Sequence, residues 1–187
     1  MTDLFTEGRY AKARVIASPN FDERPEGSIP EVIIIHSISL PPGEYGENFV
    51  EQFFCNQLDP LQHPYFQQIQ NLKVSAHFFI RRDGECIQFV NANKRAWHAG
   101  VSECQGRACV NDFSIGVELE GWDEATDGFT ESQYCTLAEL GRSLMQEYAI
   151  DTGQFYGHSD IAPGRKNDPG VYFDWRKFRK KICFKKT

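Results

Sequence analysis

The chain has 187 residues, 41% of them hydrophobic, with fifteen Phe and seven Tyr, which suits one compact domain with a sizeable core and excludes a disordered chain. A formal net charge of −6 and a pI near 5.4 set the overall field against a phosphate backbone and disfavour nucleic-acid binding. No apolar stretch approaches the roughly 20 residues that span a bilayer, so no membrane partner is expected.

In chain order, residues 1–12 are mixed and charged and lack the basic start and apolar run of a signal peptide. Residues 18–30 are turn-rich, with three prolines. Residues 32–37 then read as a strand buried on both faces, because Val32-Ile33-Ile34-Ile35 is a run of β-branched side chains that ends at His36. A loop through Pro41-Pro42-Gly43 precedes a short predicted helix over residues 47–57. Residues 59–65, with two prolines, read as loop, and a weaker helix is expected over residues 66–72. Residues 74–81 and 85–90 read as two strands joined at Asp83-Gly84. Residues 97–110 read as an irregular surface loop.

Residues 113–120 alternate, with Phe113, Ile115, Val117 and Leu119 on one face and Ser114, Gly116, Glu118 and Glu120 on the other, a face open to a solvated or a functional reading. The clearest helix covers residues 130–148. It opens on Thr130-Glu131-Ser132-Gln133, a capping-box pattern, and carries an apolar stripe through Tyr134, Leu137, Leu144 and Tyr148. A last helix starts at Asp174, and the basic run Arg176-Lys177-Phe178-Arg179-Lys180-Lys181 reads as its solvated face. Strands and helices intermix, so the expected fold is α/β (α+β): a single domain, residues 1–187 with a core of about 14–178, built on a mixed central β-sheet flanked by helices. The six cysteines show no C-x-x-C pair and read as free thiols in a reducing compartment.

His36, His158 and Asp168 are the residues with the most chemical content. Two imidazoles and a carboxylate suit a catalytic zinc, because such a set leaves a fourth position open. Each alone also reads as a strand-end histidine or a turn residue, and spacing does not show that they meet. Glu118 is a candidate general base, and Lys166, two residues before Asp168, a candidate oxyanion partner. His63, His77 and His98 read as packing or groove-lining groups rather than metal ligands.

These segments resemble a known family. Val74-Ser75-Ala76-His77, Ala96-Trp97-His98-Ala99-Gly100, Ser114-Ile115-Gly116-Val117-Glu118-Leu119-Glu120-Gly121 and Gly157-His158-Ser159-Asp160-Ile161-Ala162-Pro163-Gly164-Arg165-Lys166 follow the order found in zinc-dependent N-acetylmuramoyl-L-alanine amidases. The chain most resembles the cytoplasmic 1,6-anhydro-N-acetylmuramoyl-L-alanine amidases of the AmpD type, over residues 14–178. The resemblance implies a fold shared with phage-lysozyme amidases and peptidoglycan recognition proteins, with Zn2+ on His36, His158 and Asp168, Glu118 as catalytic glutamate and Lys166 as stabiliser of the transition state. It implies a cytoplasmic enzyme that cleaves anhydro-muropeptides between the sugar's lactyl group and L-alanine during peptidoglycan recycling; nothing in the sequence demands more than a monomer. In some bacteria that activity also lowers the signal inducing β-lactamase.

Lys73, His77, Trp97 and Arg107 are carried over as substrate-binding candidates. Ser37 stands where the family usually has asparagine, Cys109 where arginine is usual, and Lys73 also replaces an arginine. Two other readings are kept: an amidase acting on intact wall, and a non-catalytic peptidoglycan-binding module, against which the retained ligand set, Glu118 and Lys166 argue.

Overall fold

A computed structural model of the protein describes residues 4–183. Six strands form the main sheet: β1 (Arg14–Val15), β2 (Val32–Ile38), β3 (Phe78–Ile80), β4 (Cys86–Gln88), β5 (Ser114–Glu120) and β6 (Phe155–Gly157), in the spatial order β6-β2-β5-β3-β4-β1. β6, β2, β5 and β3 run parallel; β3 and β4 form an antiparallel hairpin, and β1 pairs parallel to β4. The mixed sheet is as the sequence predicts. Its central strands are buried on both sides, which is why β2 reads as an unbroken apolar run rather than an alternation.

The helices are α1 (Phe49–Phe54), α2 (Pro64–Ile69), α3 (Glu131–Tyr148), α4 (His158–Ile161) and α5 (Trp175–Cys183). α3 and α5 cover one face of the sheet. There Ile33, Ile35, Ile115, Val117 and Leu119 pack against Leu137, Leu144, Phe178 and Ile182. The other face is split. α1 and α2 cover Phe79 and Ile87 with Val50, Phe54 and Phe66. Ile34 packs against Ala99, Val110, Phe113 and Ile161. Because side chains alternate along a strand, Ile33 and Ile35 face α3 while Ile34 and His36 face the opposite side.

Several boundaries differ from the sequence reading, each for a local reason. α2 begins at Pro64, inside the stretch read as loop: proline is tolerated at the first helical position, and the His63 ring caps the turn by accepting a hydrogen bond from Tyr65 N at 3.1 Å. α1 covers only Phe49–Phe54. The ladder of β3 starts at Phe78, because residues 74–77 make isolated backbone bonds to different partners, Ser75 N to Trp97 O and His77 N to Gly116 O. The segment read as irregular loop holds a two-residue ribbon, Glu103–Cys104 with Arg107–Ala108. Gln105 and Gly106 at its tip both have positive φ, the geometry of a tight hairpin turn.

α3 bears out its capping box: Thr130 Oγ1 accepts from Gln133 N at 3.1 Å, and the Gln133 side chain accepts from Thr130 N at 3.0 Å. Asp174 caps α5 through Lys177 N. The basic run is less free than a solvated face would be, since Lys177 and Lys181 both pair with Glu131 of α3. All six cysteines are free thiols. Among the described residues no helix is long and apolar enough to cross a membrane.

Candidate active site

Parallel strands in an α/β sheet present their carboxyl ends together, and ligands bind in the crevice there. β2 delivers His36, β5 delivers Glu118 directly beside it in register, and β6 runs into His158. Gly157 precedes His158 because of a close approach rather than a turn that needs positive φ: its φ is −81°, but a Cβ there would lie 2.9 Å from Pro169 Cδ. Its bare backbone lets the Asp168-Pro169 segment close on His158, and Ser159 N donates to Asp168 O at 2.9 Å.

The result is a triangle of ligand atoms. His36 Nδ1 and His158 Nδ1 are 2.9 Å apart, and Asp168 Oδ2 is 3.1 Å from the first and 3.0 Å from the second. Ligands at the usual zinc distances of about 2.0–2.1 Å span roughly 3.3 Å in a tetrahedral arrangement, so the triangle fits such an ion. The chemistry fits as well. Burial pushes His36 down to about 4 despite the opposing hydrogen bond that Asp168 accepts, so the ring is neutral at neutral pH and one nitrogen keeps a lone pair. Burial acts to raise Asp168, but its hydrogen bonds to His158 and His36 outweigh it and hold the carboxyl below the ordinary range. The three residues form a group able to hold a metal ion.

Each histidine of the triangle has its second ring nitrogen engaged. His36 Nε2 lies 3.0 Å from His98 Nδ1, and His158 Nε2 lies 3.2 Å from Ala99 O. Arg165 ties the two loops together, donating to Ala99 O and Val101 O at 2.6 Å each.

The triangle opens into a cleft of about 400 Å³. Leu40, Phe53, Tyr65, Leu72 and Trp122 supply apolar wall, while Glu118, Lys166, Asp123 and Arg165 add charge. Glu118 is buried, and its Oε2 has no hydrogen-bond partner among the described residues. Burial raises its pKa well above the carboxylate range, the Asp168 charge adds to this, and Lys166 opposes it. Ser37 also lines the cleft, with a buried hydroxyl that has no hydrogen-bond partner among the described residues.

Glu120 contrasts with Glu118. Its oxygens accept from Gly46 N at 2.6 Å and Arg82 N at 2.9 Å, so it fastens two loops. The polar face of β5 is therefore buried rather than solvated.

The other sequence candidates scatter. His77 is fully buried away from the cleft; its Nδ1 accepts from Gly116 N at 3.0 Å, which leaves Nε2 to donate to Lys94 O at 3.0 Å. Both nitrogens are occupied internally, which argues against substrate contact. Arg107 pairs with Glu31 at 2.8 Å and stacks on Phe113, along a different groove. Trp97 is half-buried and its indole serves Asp22. Lys73 is exposed between Leu72 and Val74, which do line the cleft. Sequence reasoning gave no site role to Trp122, Ser114 or Arg165. A glycine inside the alternating strand β5 is the one signal that could have pointed to crowding around His98.

Residues 26–171 match the family model described as N-acetylmuramoyl-L-alanine amidase. The chain belongs to that family. This amidase is 50% identical over 94% of its length to the 1,6-anhydro-N-acetylmuramyl-L-alanine amidase AmpD of Citrobacter freundii, covering 93% of that protein. It is 49% identical to the protein of the same name from Escherichia coli K12, over 94% of this chain and 95% of that one. A crystal structure of a selenomethionine AmpD derivative superposes on the amidase with a TM-score of 0.92 at 49% identity, covering 96% of this chain and 99% of that one.

Proposed function

We propose that this amidase hydrolyses the amide between the lactyl carboxyl of 1,6-anhydro-N-acetylmuramic acid and L-alanine, releasing the peptide from cell-wall fragments. The observation that carries the reading is the closure of His36, His158 and Asp168 into one triangle beside a buried Glu118 whose Oε2 has no hydrogen-bond partner among the described residues. Near half identity over nearly the whole length to proteins named for this reaction supports it. The enzyme works as a cytoplasmic monomer in peptidoglycan recycling.

His36, His158 and Asp168 would hold Zn2+, which when bound supplies Lewis-acid polarisation of a carbonyl and makes water more acidic. Glu118, whose side chain lines the cleft, accepts the proton of the attacking water on its carboxylate and returns it to the alanine nitrogen as the amide breaks. Lys166 holds its ammonium at the cleft mouth, offsets the charge of Glu118 and stabilises the negative oxygen of the tetrahedral species. Leu40, Tyr65 and Trp122 give the sugar an apolar wall, and Lys73 at the rim meets the carboxylates of the peptide.

The test is mass spectrometry of products from the anhydro-muropeptide and from its ordinary reducing-sugar counterpart, each with and without a zinc chelator. Chelator-sensitive release of peptide from the anhydro form is expected, with the reducing form cleaved poorly. Equal cleavage of both would replace the proposal with a wall amidase of broad range, and binding without cleavage would leave only a recognition module.

A further inference from the structure

The metal triangle uses Nδ1 of both histidines, so each Nε2 must carry the hydrogen. The His36 Nε2–H then points at His98 Nδ1, 3.0 Å away, which can only accept. A neutral imidazole that accepts at Nδ1 donates from Nε2, and His98 Nε2 lies 3.0 Å from Ser114 Oγ. The hydrogen bonds thus run in one direction, from the ligand through His98 to the hydroxyl on β5.

Two further features hold His98 in that pose. Asn111 Oδ1 accepts from both His98 N, at 3.2 Å, and Ala99 N, at 2.9 Å, fixing the backbone that carries the ring. Gly116 leaves the ring its space: a Cβ at that position would lie 2.5 Å from His98 Cγ and 2.7 Å from its Nδ1. Glycine inside a strand weakens it and marks a close approach; here the approaching group is this ring.

We propose that His98 is the positioning residue of the metal centre, fixing the tautomer and ring angle of His36, with Ser114 orienting it and Gly116 making room. The same short segment serves the second ligand, since Ala99 O takes the hydrogen of His158 Nε2. Partners one bond removed from the ligands typically change metal affinity by about 10- to 100-fold when removed. Packing alone would require the volume of the His98 ring but not its two nitrogens.

This inference rests on the reading that the triangle holds zinc, and the first measurement separates the two. Zinc affinity of the full chain is determined by competition with a chromophoric chelator; a wild-type protein that takes up no zinc sinks the site reading itself. Given wild-type binding, His98→Leu is expected to lose about 10- to 100-fold in affinity and to alter the visible spectrum of the cobalt(II)-substituted protein. His98→Asn, whose side-chain oxygen can replace the Nδ1 acceptor, is expected to recover part of that loss. Wild-type affinity and spectrum in the Leu variant overturn the proposal. So does a loss that Asn does not mend, which would assign the ring to packing. If His98→Leu does not fold, Ser114→Ala decides: it keeps the ring and removes only the outer bond, and zinc affinity equal to wild type overturns the orienting chain.

Discussion

Glu118 and Glu120 lie two positions apart on the same face of β5, yet only Glu118 keeps an oxygen without a partner. Glu118→Gln should lower kcat on anhydro-muropeptide by about 10²- to 10⁴-fold while zinc content by metal analysis stays at the wild-type level; a variant of near-normal rate would remove Glu118 from the chemistry. Glu120→Gln should do the reverse, turning one acceptor into a donor against a backbone N–H and costing about 1–3 kcal/mol of stability by urea denaturation, with zinc retained. Lys166 opposes the burial and the Asp168 charge that raise Glu118. A base must be ionised to act, so Lys166→Met should move the acid limb of the kcat/KM profile to higher pH. An unmoved limb would mean that the two charges do not communicate. The ligand types were legible in the sequence, but their meeting was not, because His36 stands 122 positions before His158 and only the sheet joins them. The substrate candidates were less legible: nothing in the types of His77 and Arg107 says that one is sealed among backbone groups and the other paired to Glu31.

At the scale of elements, the long periodic pieces read true and the short ones drifted. The 3.6-residue stripe and capping box of α3 carry their own local information, as does the apolar run of β2. Residues 74–77 did not announce their broken ladder, because which backbone a strand end meets is decided by segments distant in sequence. α2 was hidden by a proline that is compatible with a helix start but equally with a loop. The cap of α3 is strong enough to test alone. Thr130 Oγ1 accepts from Gln133 N and also donates to Arg82 O at 2.6 Å, joining the helix to the β3–β4 hairpin. Thr130→Ala should cost about 1 kcal/mol, seen as a lower thermal midpoint with unchanged turnover at 25 °C; an unchanged midpoint would make the cap dispensable.

The whole molecule places an apolar layer under α3 and α5, while the opposite side of the same sheet sets buried histidines, among them His36, His77 and His98, between two smaller apolar clusters. Burial of those histidines has a consequence in acid. Burial, helped by the Arg24 charge, pushes His77 down to about 3. Between its ordinary value and that one the unfolded chain takes up a proton that the folded chain refuses. Stability is therefore fully present above the ordinary value and lost as pH falls toward the folded one, by up to about 1.4 kcal/mol per pH unit for this group. Urea midpoints of the metal-free protein should fall from near pH 7 to about pH 4.5, and the decline should be shallower in His77→Asn. Parallel declines would place the sensitivity in other groups.

The pairing of Glu118 with His36 across β5 and β2, with His158 beyond β6, also bears on how the chain folds. Contacts between segments so far apart in sequence form slowly, because a large loop must close before any of them is rewarded. No fragment ending before β6 contains all three ligands. If the triangle holds zinc, tight capture of the ion from a fluorescent indicator during refolding will therefore mark the arrival of the edge strand β6 rather than the first collapse, making the ion a clock for completion of the topology.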